Sequence, residues 1–174
     1  MPTQTKTRRT SRAKQFAQIE KISIAGFTER MGPHGLHMYA EAYLSAALEL
    51  PKANVPFEPV RPYLVCHAIE LALKAFLSCR GTTMIDLAGS PYAHSLDSLL
   101  NTAVEAGLAE FTELTDQQSG AILSANTYYS GKVFEYPAVG EAMCTYPHMP
   151  PIDVLIEAAS ALVRSLRPPC RDTK

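Results

Sequence analysis

The stretch from Arg61 to Gly81, RPYLVCHAIELALKAFLSCRG, constrains the fold more than any other part of the chain. At 100° per residue, Leu64, Val65, Ala68, Ile69, Leu71, Ala72, Ala75 and Phe76 spread over roughly half of a helical surface. His67, Glu70, Lys74 and Ser78 fall in one narrow polar stripe. A helix this apolar needs neighbours on at least two sides, so it belongs at the centre of a bundle. Glu70 and Lys74 stand i,i+4 in the favourable order. Pro62 suits a first turn, where its missing N–H costs nothing, and Gly81 suits the stop.

The other segments supply the neighbours. Leu36, Ala40, Tyr43, Leu44, Ala47 and Leu50 share one side of a helix, with His37, Glu41, Ser45 and Glu49 opposite. Pro51, Pro56 and Pro59 separate it from the central helix. A loop runs from Gly81 to about residue 93. Ser95 then caps a helix that turns Leu96, Leu99, Leu100, Ala103 and Val104 inward, with Asp97 in its first turn and Gly107 at its end. Thr115 and Gln118 form the T-x-x-Q capping pattern of a further helix, reaching roughly Tyr129, with Ile122, Ala125, Asn126 and Tyr129 on one face. Residues 131–151 carry four prolines before the last helix begins and read as a long loop, in which Val133–Tyr136 could add a short extended or paired piece. Pro151 opens the last helix, which faces the core through Ile152, Leu155, Ile156, Ala159, Leu162, Val163 and Leu166; Pro168 and Pro169 end it. The expectation is an all-α, up-and-down bundle of about five helices over residues 19–170, preceded by a flexible basic arm at 1–18.

Length fits one domain, large enough to close a core without metals or disulfides. No run reaches the ~18 apolar residues of a membrane span and the polar N-terminus has no signal-peptide core, so the expected location is cytoplasmic, with no membrane partner. Cys66, Cys79, Cys144 and Cys170 lack the paired spacing of a zinc site and read as small buried thiols. Cys66 and Cys79 lie ~20 Å apart on one helix and cannot bond to each other. The formal charge of -1 hides an asymmetry. Lys6, Arg8, Arg9, Arg12 and Lys14 meet no acidic residue in the first fourteen; without them 11 basic residues face 17 acidic ones, a remainder of about -6. Such a body repels a nucleic-acid backbone unless a local basic patch survives folding. No phosphate-binding glycine loop, nucleophile elbow or E-x-x-H metal pattern occurs, and no cofactor is expected.

The strings PYLVCHAIELALKAFLSCRG and HSLDSLLNTAVEAGL, followed by KVFEYP, resemble the HEPN superfamily (higher eukaryotes and prokaryotes nucleotide-binding domain) across roughly residues 36–166. What carries the likeness is an H-x-I-E-L-x-L-K helix, a loop, and a His-led helix of the type HxLxxLL. The resemblance implies a helical bundle that commonly dimerises. In several branches it also implies a metal-independent ribonuclease or toxin, often paired with a nucleotidyltransferase-like partner. Nuclease branches place an Arg, four to six residues and a His near the last long helix. Here Arg61 and His67 have five residues between them but lie on the central helix, and His148 has no arginine upstream at that spacing. The chain thus looks like a divergent member without the usual terminal-helix motif.

Each candidate residue has a plain reading beside a chemical one. His67, oriented by Glu70, could act as a base near neutral pH, or fill a polar gap inside the bundle. Arg61 could hold a phosphate, or cap a helix. His94, directly before a helix, could be a base, or tie down the preceding loop. Glu70 and Lys74, with Lys132 and Tyr136 from the late loop, are candidate binding residues; aromatic packing of that loop is the alternative. Two functions compete. One is a non-catalytic interaction or regulatory module that dimerises. The other is a HEPN-type ribonuclease or nucleotide-binding protein of a toxin–antitoxin-like system, with RNA or nucleotide as ligand and Arg61, His67 and His94 in its centre.

Overall fold

A computed structural model describes residues 32–51, 58–136 and 146–172, and the readings for the basic arm and for residues 19–31 lie outside them. The described chain is an all-α bundle, with no strand among the described residues. Its helices are α1 (Pro33–Glu49), α2 (Val60–Cys79), α3 (Met84–Ala88), α4 (Leu96–Glu105), α5 (Asp116–Ser130) and α6 (Ile152–Asp172), with a 3-10 turn at Leu108–Glu110.

Helix α2 is the centre. It packs against α1, α4, α5 and α6, and every residue from Ala68 to Leu77 is buried. It is long and apolar enough to cross a membrane, but it lies mostly inside the bundle, which is where a core helix of this composition belongs. Leu36, Ala40, Leu44 and Ala47 cover it from α1, and Leu155, Ala159, Leu162 and Leu166 come from α6.

The caps form as the sequence implies. Ser95 Oγ accepts the N–H of Ser98, and Thr115 and Gln118 close both halves of their capping box. Gly81 and Gly107 turn the chain through φ +97° and +88°, left-handed values that a side chain resists. A Cβ on Gly107 would also stand 2.8 Å from a carboxylate oxygen of Glu110. That carboxylate pairs with Arg80 at 2.6 Å, and the Arg80 guanidinium rests over the rings of Phe76 and Phe111.

Five details differ from the sequence reading. The loop after Gly81 contains the short α3, which seats Leu87 in the core through a Thr83 cap. Val104 turns outward at 58 % exposure, while Leu96, Leu99, Leu100 and Ala103 form the buried face of α4. His37 is buried although it falls on the polar side of α1: its Nε2 meets the Val163 carbonyl at 2.7 Å, joining α1 to α6. Helix α6 does not stop at Pro168; it runs through both prolines to Asp172. Proline φ suits a helix, and the buried Cys170 anchors this last turn against the end of α2. Val133–Tyr136 forms turns and not an extended piece, with the Lys132 carbonyl accepting from the N–H groups of Glu135 and Tyr136.

Truncation separates core from surface. Ile69→Ala should destabilise the protein by ~2–5 kcal/mol, through lost transfer energy and a residual cavity. Val104→Ala should change it by less than ~1 kcal/mol. Urea titrations giving similar losses for both would show that α2 is not the centre.

Candidate functional site

The polar stripe of α2 points into the bundle. Glu70 is 2 % exposed and Lys74 is also buried. A buried carboxylate must find donors or lose its charge. Glu70 finds three. Lys74 Nζ donates to Oε1 at 2.6 Å, one turn along the same helix. The Tyr129 hydroxyl donates to Oε2 from α5. His94 Nδ1 lies 3.3 Å from Oε2, reaching in from the residue before the α4 cap. His67 Nδ1 lies 3.4 Å from the same oxygen and 2.7 Å from the Tyr129 hydroxyl.

Proton counting fixes the directions of these bonds. An ionised carboxylate only accepts, so His94 must present Nδ1–H to Glu70. Tyr129 has one hydroxyl proton and gives it to Glu70, so His67 must donate from Nδ1 to the tyrosine oxygen. The carboxylate therefore sets two imidazoles in the same tautomer, His94 directly and His67 through Tyr129, each with Nε2 left as the lone-pair nitrogen of the neutral ring.

Burial by itself would raise the Glu70 pKa. The His67 ring beside it, the charge and hydrogen bond of Lys74 and the Tyr129 hydroxyl outweigh it, and hold the carboxyl well below the usual carboxylate range. Burial, then the charge of Glu70, push the Tyr129 phenol upward, so it stays a donor. Cys66, fully buried, has its thiol raised to about 12, by desolvation first and by Glu70 second, so it remains protonated near neutral pH.

Neighbouring elements hold the rings. Tyr63 stacks on His67 at 5.7 Å with planes 6° apart, and Tyr43 of α1 meets the same ring edge-on at 4.4 Å. Asn126 of α5 accepts the Leu96 N–H at 2.8 Å, which docks the start of α4 beside Tyr129. His94 itself adopts φ +54°, an uncommon conformation for a residue with a Cβ, and its side chain is 43 % exposed. It forms the open rim of an otherwise buried network.

Of the residues singled out from sequence, His67, Glu70, Lys74 and His94 come together. Arg61 does not join them: its guanidinium donates to the carbonyls of Leu50 and Pro51 and lies 3.9 Å from Glu58, bracing the α1–α2 connection. Lys132 and Tyr136 are exposed and share no hydrogen bond with the cluster. Their loop reaches the site electrostatically through Tyr63, whose phenol is raised by burial first and next by Glu135, with a smaller push from Tyr136. Tyr129, Tyr63, Tyr43 and Asn126 complete the site and were not legible as site residues. The available signal was Tyr129 itself, since a tyrosine on an inward face needs a partner for its hydroxyl.

Chemically, the arrangement offers two oriented imidazoles and a permanently charged carboxylate neutralised by Lys74. Among the described residues no group of three metal-ligating side chains has the disposition of a metal site.

Two measurements test the network. Tyr129→Phe removes a donor from Glu70 and the acceptor from His67, and should cost ~1–3 kcal/mol in a urea titration. A carboxylate whose pKa falls on folding adds stability above its unfolded value, near ~4.3, and loses it as pH drops toward the folded value. The melting temperature of the natural chain should therefore decline more steeply between pH ~5 and ~2 than that of Glu70→Gln; equal slopes would refute the buried charge.

Set against known proteins, the chain matches no protein-family model, no curated protein and no solved structure.

Proposed function

We propose that this chain is a non-catalytic helical interaction or regulatory module of the HEPN kind that works as a homodimer. The observation that supports it is the placement of Arg61. A metal-independent ribonuclease needs a cation beside its base to hold the scissile phosphate. Arg61, the only candidate at the right sequence spacing from His67, is engaged by two backbone carbonyls and by Glu58. Lys74, the lysine of the same polar stripe, is buried and bonded to Glu70. The remainder near -6 outside the basic arm adds repulsion toward RNA.

Self-association is supported by Met38, Tyr39 and Leu48, large apolar side chains that stand exposed along α1, and by the commonness of two-fold dimers. A nucleotidyltransferase-like protein is the partner that the family likeness suggests for such a module.

A second reading has its own support in His94. A half-exposed imidazole, oriented by a buried carboxylate and held at a left-handed backbone position, has the parts of a general base. On that reading the protein is directed at RNA or a nucleotide, with chemistry at the start of α4.

One pair of experiments separates these. Sedimentation at micromolar concentration should give a species of about twice 19.0 kDa; a single 19.0 kDa species would remove the dimer. Single-stranded RNA incubated with the full chain and a chelator should show no cleavage above a His67→Ala control. Cleavage lost in both His67→Ala and Arg61→Ala would reverse the assignment to a ribonuclease centred on those residues. Loss in His94→Ala alone would establish the second reading.

A further inference from the structure

The C-terminal ends of α2 and α6 bring two cysteines together. Cys79 Sγ lies 3.5 Å from Cys170 Sγ and 3.6 Å from the Pro169 carbonyl, with no covalent bond between the sulfurs. The residues are 91 positions apart, so only the folded bundle places them side by side. Their environments differ: Cys170 is fully buried, whereas Cys79 is partly exposed. A sulfur pair in van der Waals contact needs an approach of roughly 1.5 Å to reach disulfide bonding distance. The last turn of α6 carries Pro168 and Pro169, whose missing N–H groups remove two ladder hydrogen bonds, so this turn can shift more readily than the rest of the helix.

We propose that Cys79 and Cys170 form a redox-active dithiol, a modification site that a peroxide converts to a disulfide joining α2 to α6. Cys79 is the attacking sulfur because it is the one an oxidant in solvent can reach. Its sulfur bonds to one peroxide oxygen, the O–O bond breaks, and the departing hydroxide takes the Cys79 proton to give water and a sulfenic acid. Cys170 sulfur then attacks Cys79 sulfur, the S–O bond breaks, and the second hydroxide takes the Cys170 proton. Two thiols lose two electrons to the peroxide, and two waters form. The Cys79 contact, followed by burial, raises the Cys170 thiol, so Cys170 keeps its proton until that second step and serves as the resolving partner. Within the closed loop lie His94 and Tyr129, so the crosslink constrains the segment that supplies two of the three donors to Glu70.

The test uses the full chain, reduced and then treated with about one equivalent of hydrogen peroxide, alkylated, weighed intact and mapped by peptide. The expected product has lost two hydrogens, takes up two alkyl groups in place of four, contains a Cys79–Cys170 peptide, and returns to the dithiol with dithiothreitol. Because folding supplies the proximity, the crosslink should form at least about ten-fold faster in the folded than in the urea-unfolded chain. Cys79→Ser should abolish it, and Cys170→Ser should leave a sulfenic acid at Cys79 that dimedone traps. Should Cys170→Ser not fold, the rate comparison and Cys79→Ser still decide. A Cys79 that goes directly to sulfinic acid, a crosslink through Cys66 or Cys144, or equal rates in folded and unfolded chains would overturn the proposal.

Discussion

One buried carboxylate organises this bundle. Glu70 sits near the middle of the most apolar helix, and taking a bare carboxylate out of water costs several kcal/mol. That cost disappears only if donors arrive from fixed directions. Lys74 comes from the next turn of α2, Tyr129 from α5, and His94 from the start of α4. Each partner is tied to a different element, so satisfying the charge also sets the relative positions of α2, α4 and α5. The fit is complete enough that, among the described residues, no buried side-chain nitrogen or oxygen lacks a partner. An apolar core would give stability with less specificity; here the carboxylate admits one arrangement of the surrounding helices.

The helices themselves were legible because they rest on periodicity and caps. The 3.6-residue pattern of α2, the Ser95 cap, the Thr115–Gln118 box and the glycine stops at 81 and 107 are local signals, and all appear where the sequence puts them. What local signals could not show was direction. The polar stripe of α2 could have faced water or a neighbour, and only tertiary packing decides this. The same ambiguity hid His37, which looks solvent-facing by phase yet meets the Val163 carbonyl. The continuation of α6 beyond Pro168 was hidden for a related reason: proline propensity is local, whereas the anchoring of Cys170 is not.

The site was legible in part. His67, Glu70 and Lys74 share a stripe by spacing alone, and His94 stood out beside a cap. Their convergence required Tyr129, a residue that spacing assigns to the apolar face of α5. Arg61 shows the converse. Five residues separate it from His67, but the first turn of α2 places that guanidinium over the end of α1. Sequence spacing fixes the angle between two side chains on a helix and leaves open what each finds at its end.

Lys74 neutralises Glu70, so the cluster has no net charge unless a histidine is protonated. A neutral site within a body near -6 does not attract a polyanion. Protonation of His94 would change the local balance by one unit, but Glu70 lies against its Nδ1 and would hold that charge inward as an ion pair. The geometry therefore favours a network whose charges answer one another. Catalysis on a phosphodiester would require a cation directed outward, and among the described residues of this cluster the one lysine, Lys74, is directed inward.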